Sequence, residues 1–579
     1  MKRFSFLLVT LAACGGTQGP GEEANNPAPA TPSPTAPAKR PASSDVSFEL
    51  PAIDVKGVVY EPDAMGRPGM ALVGGKDAAS RELQRLEERA ETQTGAARAA
   101  LVEHIIALRK TAIEKQRRLV QSTKDPVAKQ AQAAILATLL YRQSKDVKAE
   151  EKALLKEARD TLRDVAQAVG DKEIDEVTLR LLGSYELLLE DYPAAEKAWQ
   201  GLIDKDPKSK DVPDSRGWLA YAQLRQFKNA EALATVGTAP PDDKLPQLAY
   251  AMAWAKLRTG DGAGAWQAIT TAARGWGQNP LREELERDVL GFAGRANIAL
   301  DQVAPVVAAL AKAKLSPQAT AQQQQFAQYE LLARLGLSGY ALAGRWAAGI
   351  AALDKAVAVA GDAVPPNDRP VIRYSQADFT VRLDAPDAAG KLATQAVEAL
   401  AACGSRCSAK DMADTYQNVY LMGRLFHNLY ATANDRSYYQ PAHDLYELTI
   451  PKLDPANRAQ AEQDLKKLET TFRNLKVGTG THDKSALGAL LPRHNLEVQA
   501  CYEAALGQNP KLGGSVVVNL ESDASGAIKG VSTEPKAGAA DLAAVAGCIA
   551  DRVRQWKLPK RGMPGSTRIK LSYQLAVKK

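Results

Sequence analysis

The stretch VTLRLLGSYELLLEDYPAAEKAWQGLIDKDP, running from Val177 to Pro207, decides the fold. Leu182-Gly183 opens a first helix, Asp191-Tyr192 turns the chain, and Ala195, Trp199 and Pro207 follow. Packing accounts for each residue type. Gly183 and Ala195 lack bulk, so two antiparallel helices can approach closely. Tyr192 and Trp199 are large enough to fill the wedge between one hairpin and the next. Pro207 stops the second helix, because it has no N–H to donate and its ring clashes with the preceding turn. A hairpin of this kind leaves an apolar face uncovered, so its stability must come from stacked neighbours.

The pattern resembles a tetratricopeptide repeat (TPR). Weaker copies follow: Trp218, Tyr221, Phe227 and Ala230; then Trp254, Gly260, Asp261, Ala265 and Ala272; then Tyr340, Gly344, Trp346, Leu353 and Ala356; and late in the chain Tyr430, Tyr439, Ala442, Tyr446 and Pro455. They depart from the repeat at the Leu-Gly pair or at the closing proline, which leaves repeat number and phase open. Helical periodicity extends further on both sides. Leu101, Ile105, Leu108 and Ala112 share one helical face. We therefore expect a TPR-like α-solenoid over residues 78–476, with an irregular all-helical domain as the alternative.

The last ninety or so residues change period. Leu496–Leu506 reads as a helix. Val516, Val518 and Leu520 alternate with Val517, Asn519 and Glu521, and Asp523-Ala524-Ser525-Gly526 turns the chain into a return strand from Ile528 to Thr533. Leu542, Val545, Ile549, Val553 and Trp556 form an apolar helical face that Leu558-Pro559 ends. Ile569, Leu571, Tyr573, Leu575 and Val577 then alternate with polar neighbours. The order is α-β-β-α-β over residues 491–579, after a Gly-rich linker at 477–490. The fold class expected overall is mainly α, with a small α+β domain at the end.

That order resembles a TonB-like C-terminal domain, most closely the variant named for the gliding-motility proteins AgmX and PglI. The residues that carry the resemblance are Cys501-Tyr502-Glu503, Asn509-Pro510, Leu512, Gly514, Val516 to Leu520, Gly526, Cys548-Ile549 and Trp556-Lys557-Leu558-Pro559. The resemblance implies binding by strand addition, in which a partner segment pairs with an exposed sheet edge. Residues 568–577 are the expected edge. The alternative is a purely structural strand whose Arg568 and Lys570 deter pairing. Energy transduction, which needs an inner-membrane anchor, is not carried over.

At the other end, Lys2 and Arg3 precede an apolar run from Phe4 to Ala13, and Leu11-Ala12-Ala13 leads into Cys14. The run is about half of the roughly 20 residues needed to span a bilayer. The layout resembles a bacterial lipoprotein signal with its lipobox. The resemblance implies cleavage after residue 13 and fatty acyl groups such as palmitate on Cys14. Gly15, in the place where an inner-membrane retention signal carries Asp, implies the outer membrane. A plain secretory signal is the alternative, and it leaves Cys14 without a reason. Residues 14–45 are rich in Pro, Ala, Thr and Ser and read as an extended tether, reaching roughly 90 Å at about 3.1 Å per residue. Residues 46–77 are an irregular lead-in, with a short strand possible around Val55 to Tyr60.

Composition excludes several classes. The formal charge of +7 over 579 residues is weak, and loss of Lys2 and Arg3 lowers it further. No Lys/Arg cluster interleaves with aromatics, so nucleic acid is not an expected partner. Five cysteines are present; beyond Cys14, the remaining Cys403, Cys407, Cys501 and Cys548 are even in number. In an oxidising compartment this suggests two disulfides, most simply Cys403–Cys407 and Cys501–Cys548. For Cys403 and Cys407 the alternative is a metal or redox pair, although the C-x3-C spacing and the lack of a second ligand pair fit it poorly.

None of the five histidines, His104, His427, His443, His482 and His494, forms an HxxxH or HExxH pair. His427 and His443 read as packing or surface residues and His482 as a polar loop residue. There is no G-x-S-x-G, phosphate-binding loop or dinucleotide glycine pattern. The expectation is a chain that is not an enzyme, with no catalytic residues, no cofactor and no metal. It would be a periplasmic, lipid-anchored scaffold that binds envelope proteins in its solenoid groove, within a motility or transport complex. A cell-wall or polysaccharide maturation factor, or an activator of a periplasmic enzyme, is the alternative.

Overall fold

The computed structural model describes residues 44–49, 53–56, 78–474, 491–558 and 566–578, apart from short stretches at 171–172, 276–281, 434–435, 507–508, 510 and 536–541. Cys14, the signal, the tether as far as residue 43, His482 and the 477–490 linker lie outside the described residues. From Ala78 to Asn474 the described chain is a succession of helices in antiparallel pairs. It is a helical solenoid, and the α+β domain follows it.

The founding hairpin comprises the helices Glu176–Leu188 and Tyr192–Lys205. Asp175 caps the first by accepting from the Thr178 amide, and Asp191 caps the second by accepting from the Ala194 amide. A methyl group on Gly183 would sit 2.7 Å from the Trp199 indole, so the glycine is required by the close approach of the two helices. Trp199 is buried and stacks on Trp218 of the next hairpin, with ring centroids 6.3 Å apart. The wedge role read from the sequence is thus the one this ring fills.

The phase of the repeats is set by a turn that the sequence does not advertise. Glu190, Phe227, Gly260, Asn297, Gly344 and Asp384 all have a left-handed backbone, with φ between 55° and 93°. At each, the following amide bonds back to a carbonyl five residues earlier: Asp191 to Glu186, Lys228 to Gln223, Asp261 to Lys256, Ile298 to Ala293, Arg345 to Tyr340 and Ala385 to Thr380. This is the Schellman termination, which satisfies carbonyls that a helix end leaves without partners. Here it also reverses the chain into the second helix of each hairpin. Only two of these positions are glycine, which is why a search for glycine punctuation finds the register unevenly.

At two of these turns a long side chain ties one repeat to the next. Arg258 Nη1 donates to the Leu224 carbonyl at 2.7 Å, and Arg345 Nη1 donates to the Ile298 carbonyl at 2.8 Å. Both reach back onto the preceding hairpin's turn, so neighbours are joined by charge-assisted bonds as well as by apolar contact.

Five strands form one sheet: β1 (Ser44–Glu49), β2 (Ile53–Lys56), β3 (Gly514–Ser522), β4 (Ile528–Pro535) and β5 (Thr567–Lys578). The order is β1-β5-β3-β4, with β2 continuing along β5 beyond β1. β3 and β4 form the expected hairpin, in which Gly526 takes a left-handed φ of 80°. β5 runs antiparallel to β3, with Val516 opposite Tyr573 and Val518 opposite Leu571. Ile569, Leu571, Tyr573 and Leu575 of β5 are buried and Arg568, Lys570 and Gln574 are exposed, as the period-two reading anticipates. The helices Asn495–Leu506 and Leu542–Val553 carry Cys501 and Cys548.

One expectation is corrected. Residues 568–577 are not an edge, because β1 and β2 pair in parallel with β5 on the side away from β3. The 46–77 lead-in is therefore partly sheet, and Arg568 and Lys570 do not prevent pairing. The small domain packs directly on the solenoid. Its buried apolar residues form one continuous cluster with those of the solenoid from Ala377 to Leu468.

Candidate functional site

A buried polar arrangement joins the α+β domain to the solenoid. Its centre is Glu497, on the helix Asn495–Leu506, with a buried carboxylate. Trp346 Nε1, from the first residue of the solenoid helix Trp346–Ala360, donates to Glu497 Oε1 at 3.0 Å. Trp556 Nε1, from the α+β domain, donates to Oε2 at 2.7 Å. His494 Nδ1 lies 3.1 Å from Oε1, and its ring stacks on Trp556 at 4.1 Å.

Burial works to raise the Glu497 pKa. The hydrogen bond and charge of His494, together with the two indole donors, outweigh it and hold the carboxyl below its ordinary range. Tyr573, buried in β5, is pushed the other way by burial and by the Glu497 charge. The result is a buried carboxylate whose charge is held by two indole donors and the neighbouring imidazole.

The solenoid side of this joint is shaped by glycines. A methyl group on Gly294 would meet the Gly339 carbonyl oxygen at 2.0 Å, so the helix Arg282–Arg295 passes against the π-helical turn Leu335–Tyr340. That turn runs into the Schellman position Gly344, where a methyl group would lie 3.0 Å from Glu497 Cγ. Trp346 is held from behind by Phe379, at 5.5 Å between centroids, and by the Arg382 guanidinium, 4.6 Å over its ring. Arg552 Nη2 donates to the Ala343 carbonyl at 3.4 Å, and the Arg295 guanidinium lies 3.8 Å from Glu503.

The remaining sequence candidates are dispersed. Cys403 and Cys407 are bonded at the end of the helix Pro386–Cys403, with their sulfurs 2.09 Å apart, and Cys501 and Cys548 are bonded across the two helices of the small domain at 1.97 Å. The second bond lies in the same domain as Glu497 and ties the helix that carries it to its neighbour. His427 is half-buried, with Nδ1 3.2 Å from the Tyr446 hydroxyl, and burial lowers its pKa. Among the described residues, His443, Asp444 and Glu447 present donor atoms within 4.8 Å of one another on an exposed face. The two carboxylates are solvent-exposed, and His443 is also 3.8 Å from Glu469.

Sequence reasoning missed Glu497 and Trp346. Trp346 was read as a repeat aromatic, His494 was noted without a role, and Trp556 was placed on a helix face, whereas the helix ends at Val553. Glu497 lies between Leu496 and Val498 in a helical run and carries no local mark of burial. Only the pairing of distant elements exposes its role.

No family model matches the chain, and no curated protein matches it. Among solved structures, a circular tandem repeat protein with novel repeat topology is similar at 15% identity, over 74% of this chain and 90% of that one, with a TM-score of 0.17. A chain from the structure of Naa15/Naa10 bound to HypK-THB is similar at 12% identity, over 74% of this chain and 81% of that one, also with a TM-score of 0.17. Superpositions this loose carry no argument of their own. The solenoid rests on the hairpins and turns described above.

Proposed function

We propose that the chain is a non-enzymatic protein-interaction scaffold of the bacterial cell envelope, anchored to the outer membrane through acyl groups on Cys14 and extending into the periplasm. The observation that supports it most directly is the long stack of hairpins, whose charged and aromatic groups join neighbouring repeats. Large apolar side chains nevertheless stand exposed on it: Leu342 and Leu383, at two successive hairpin turns, are 58% and 45% exposed. Apolar groups presented at successive repeats suit a partner that lies along the solenoid. The small domain resembles the TonB-like type in its α-β-β-α-β order and in its cysteine pair, and we assign it a peptide-binding role. Two disulfides fit an oxidising compartment.

Two measurements test this reading. Palmitate labelling and membrane fractionation of the wild-type chain and Cys14→Ser should show label and membrane association only in the wild type; an unlabelled wild-type chain in the soluble fraction refutes the anchor. Crosslinking in intact cells followed by purification should yield a small, reproducible set of envelope proteins that is lost when Leu342 and Leu383 are changed to Asp. Recovery of glycan alone refutes the scaffold.

A further inference from the structure

β1 and β2 occupy β5 in a way that separates them from the rest of the sheet. They precede β5 by more than five hundred residues in the sequence, yet pair with it in parallel. Ser44 registers with Thr567, Val46 with Ile569 and Phe48 with Leu571. The register then shifts: Glu49 registers with Ser572 and Ile53 with Leu575, so the added strand gains one residue relative to β5 between the two pieces.

The occupant is therefore two short parallel pieces of six and four residues. Parallel pairing is slightly weaker per residue than antiparallel pairing. On its other side β5 is held by the nine-residue β3 in unbroken antiparallel register from Gly514↔Leu575 to Ser522↔Thr567. β5 therefore has a full-length partner that does not depend on β1 and β2, and its row Ile569, Leu571, Tyr573 and Leu575 is buried.

The register also defines what the edge accepts. Apolar positions of the occupant, Val46, Phe48, Ile53 and Val55, stand opposite Ile569, Leu571, Leu575 and Val577. The intervening position Asp45 stands opposite Arg568, and Ser47 stands opposite Lys570. Over Asp45–Glu49 and Ile53–Val55 the pattern is an extended segment that alternates apolar residues with acidic or small polar ones; Lys56, opposite Lys578, departs from it.

We propose that residues 44–56 are an exchangeable intramolecular occupant of the β5 edge, and that the edge, when vacated, takes an extended segment of another protein with the same alternating apolar and acidic pattern, running parallel to β5. This rests on the peptide-binding role assigned to the small domain. It adds the strand, the direction, the side-chain pattern and the competitor. Because the competitor is covalently attached, its effective concentration is of millimolar order, and a free segment meets a mostly occupied edge.

The test needs no partner. A protease site is placed between residues 57 and 77 of the full chain, which folds with its own sequence at 44–56 intact. A fluorescent peptide of residues 44–56 is added before and after cleavage, and anisotropy is read. Uptake should be at least about tenfold greater after cleavage, as loss of the tethered competitor requires. A peptide of reversed sequence should not bind. Hydrogen exchange should place the added peptide's protection on residues 568–578. In a second variant, Val46→Asp with Phe48→Asp, the uncut chain should bind the peptide, and adding Arg568→Glu and Lys570→Glu should abolish that binding. Equal uptake before and after cleavage, equal binding of the reversed peptide, or protection elsewhere overturns the proposal. A failed search for envelope partners would refute the scaffold reading and leave this result standing.

Discussion

Trp346 and Glu497 are 151 positions apart and share a buried hydrogen bond of 3.0 Å. One end belongs to the solenoid and the other to the small domain. The second carboxylate oxygen is taken by Trp556. This acid is the pin of the joint, and its removal leaves two indole donors and an imidazole without an acceptor.

Glu497→Ala should therefore lower stability by about 3 kcal/mol, the usual consequence of leaving one side of a buried charged hydrogen-bond network unpaired. Urea unfolding followed by tryptophan fluorescence measures it. In a double-mutant cycle with Trp346→Phe the two changes should couple by about 1 kcal/mol or more. Strict additivity would mean that the bond contributes nothing to the joint.

The joint should weaken in acid. The Glu497 carboxyl is held below its ordinary range in the folded chain. A depressed carboxyl pKa contributes stability that is complete above the unfolded-state value, about 4.3, and is lost as pH falls through the folded-state value. The stability difference between wild type and Glu497→Gln should stay level from neutral pH to about pH 5 and shrink below that. A difference that grows on acidification contradicts the assignment.

Two helical glycines should respond oppositely to alanine. At Gly183 the added methyl group would lie 2.7 Å from the Trp199 ring, and at Gly201 it would lie 3.7 Å from Leu179 Cδ2. Gly183→Ala should destabilise by about 1–3 kcal/mol through overpacking. Gly201→Ala should stabilise by about 0.5–1 kcal/mol, because the helix gains propensity with no clash. Thermal unfolding of the pair reads the sign directly.

The two disulfides should differ in worth. The Cys501–Cys548 bond closes a separation of 47 residues and Cys403–Cys407 one of 4. In the chain-entropy view, removing the first by paired serine substitution should lower stability by roughly 4 kcal/mol and removing the second by roughly 2. Equal losses would mean that unfolded-state entropy is not the source. Thiol alkylation before reduction checks that both bonds form.

The hairpins were legible because their determinants are local. Gly183, Ala195 and Trp199 lie within one repeat, and period two marks β3 and β5 residue by residue. What was not legible depends on distant partners. Val46 and Phe48 alternate with polar neighbours, yet nothing nearby says that their strand joins one formed by the end of the chain. The Schellman turns at Glu190 and Phe227 use residues that seldom take a left-handed backbone, so composition conceals them. Glu497 reads as an ordinary helical glutamate until Trp346 and Trp556 meet around it.

Because β1 is laid alongside β5, whatever precedes Ser44 is attached to the sheet. Tension transmitted along that leader would reach the β1–β5 ladder before any solenoid helix. Were it to part, the attachment would lengthen by the contour of β1 and β2 before the load reached the helix Ala78–Thr92.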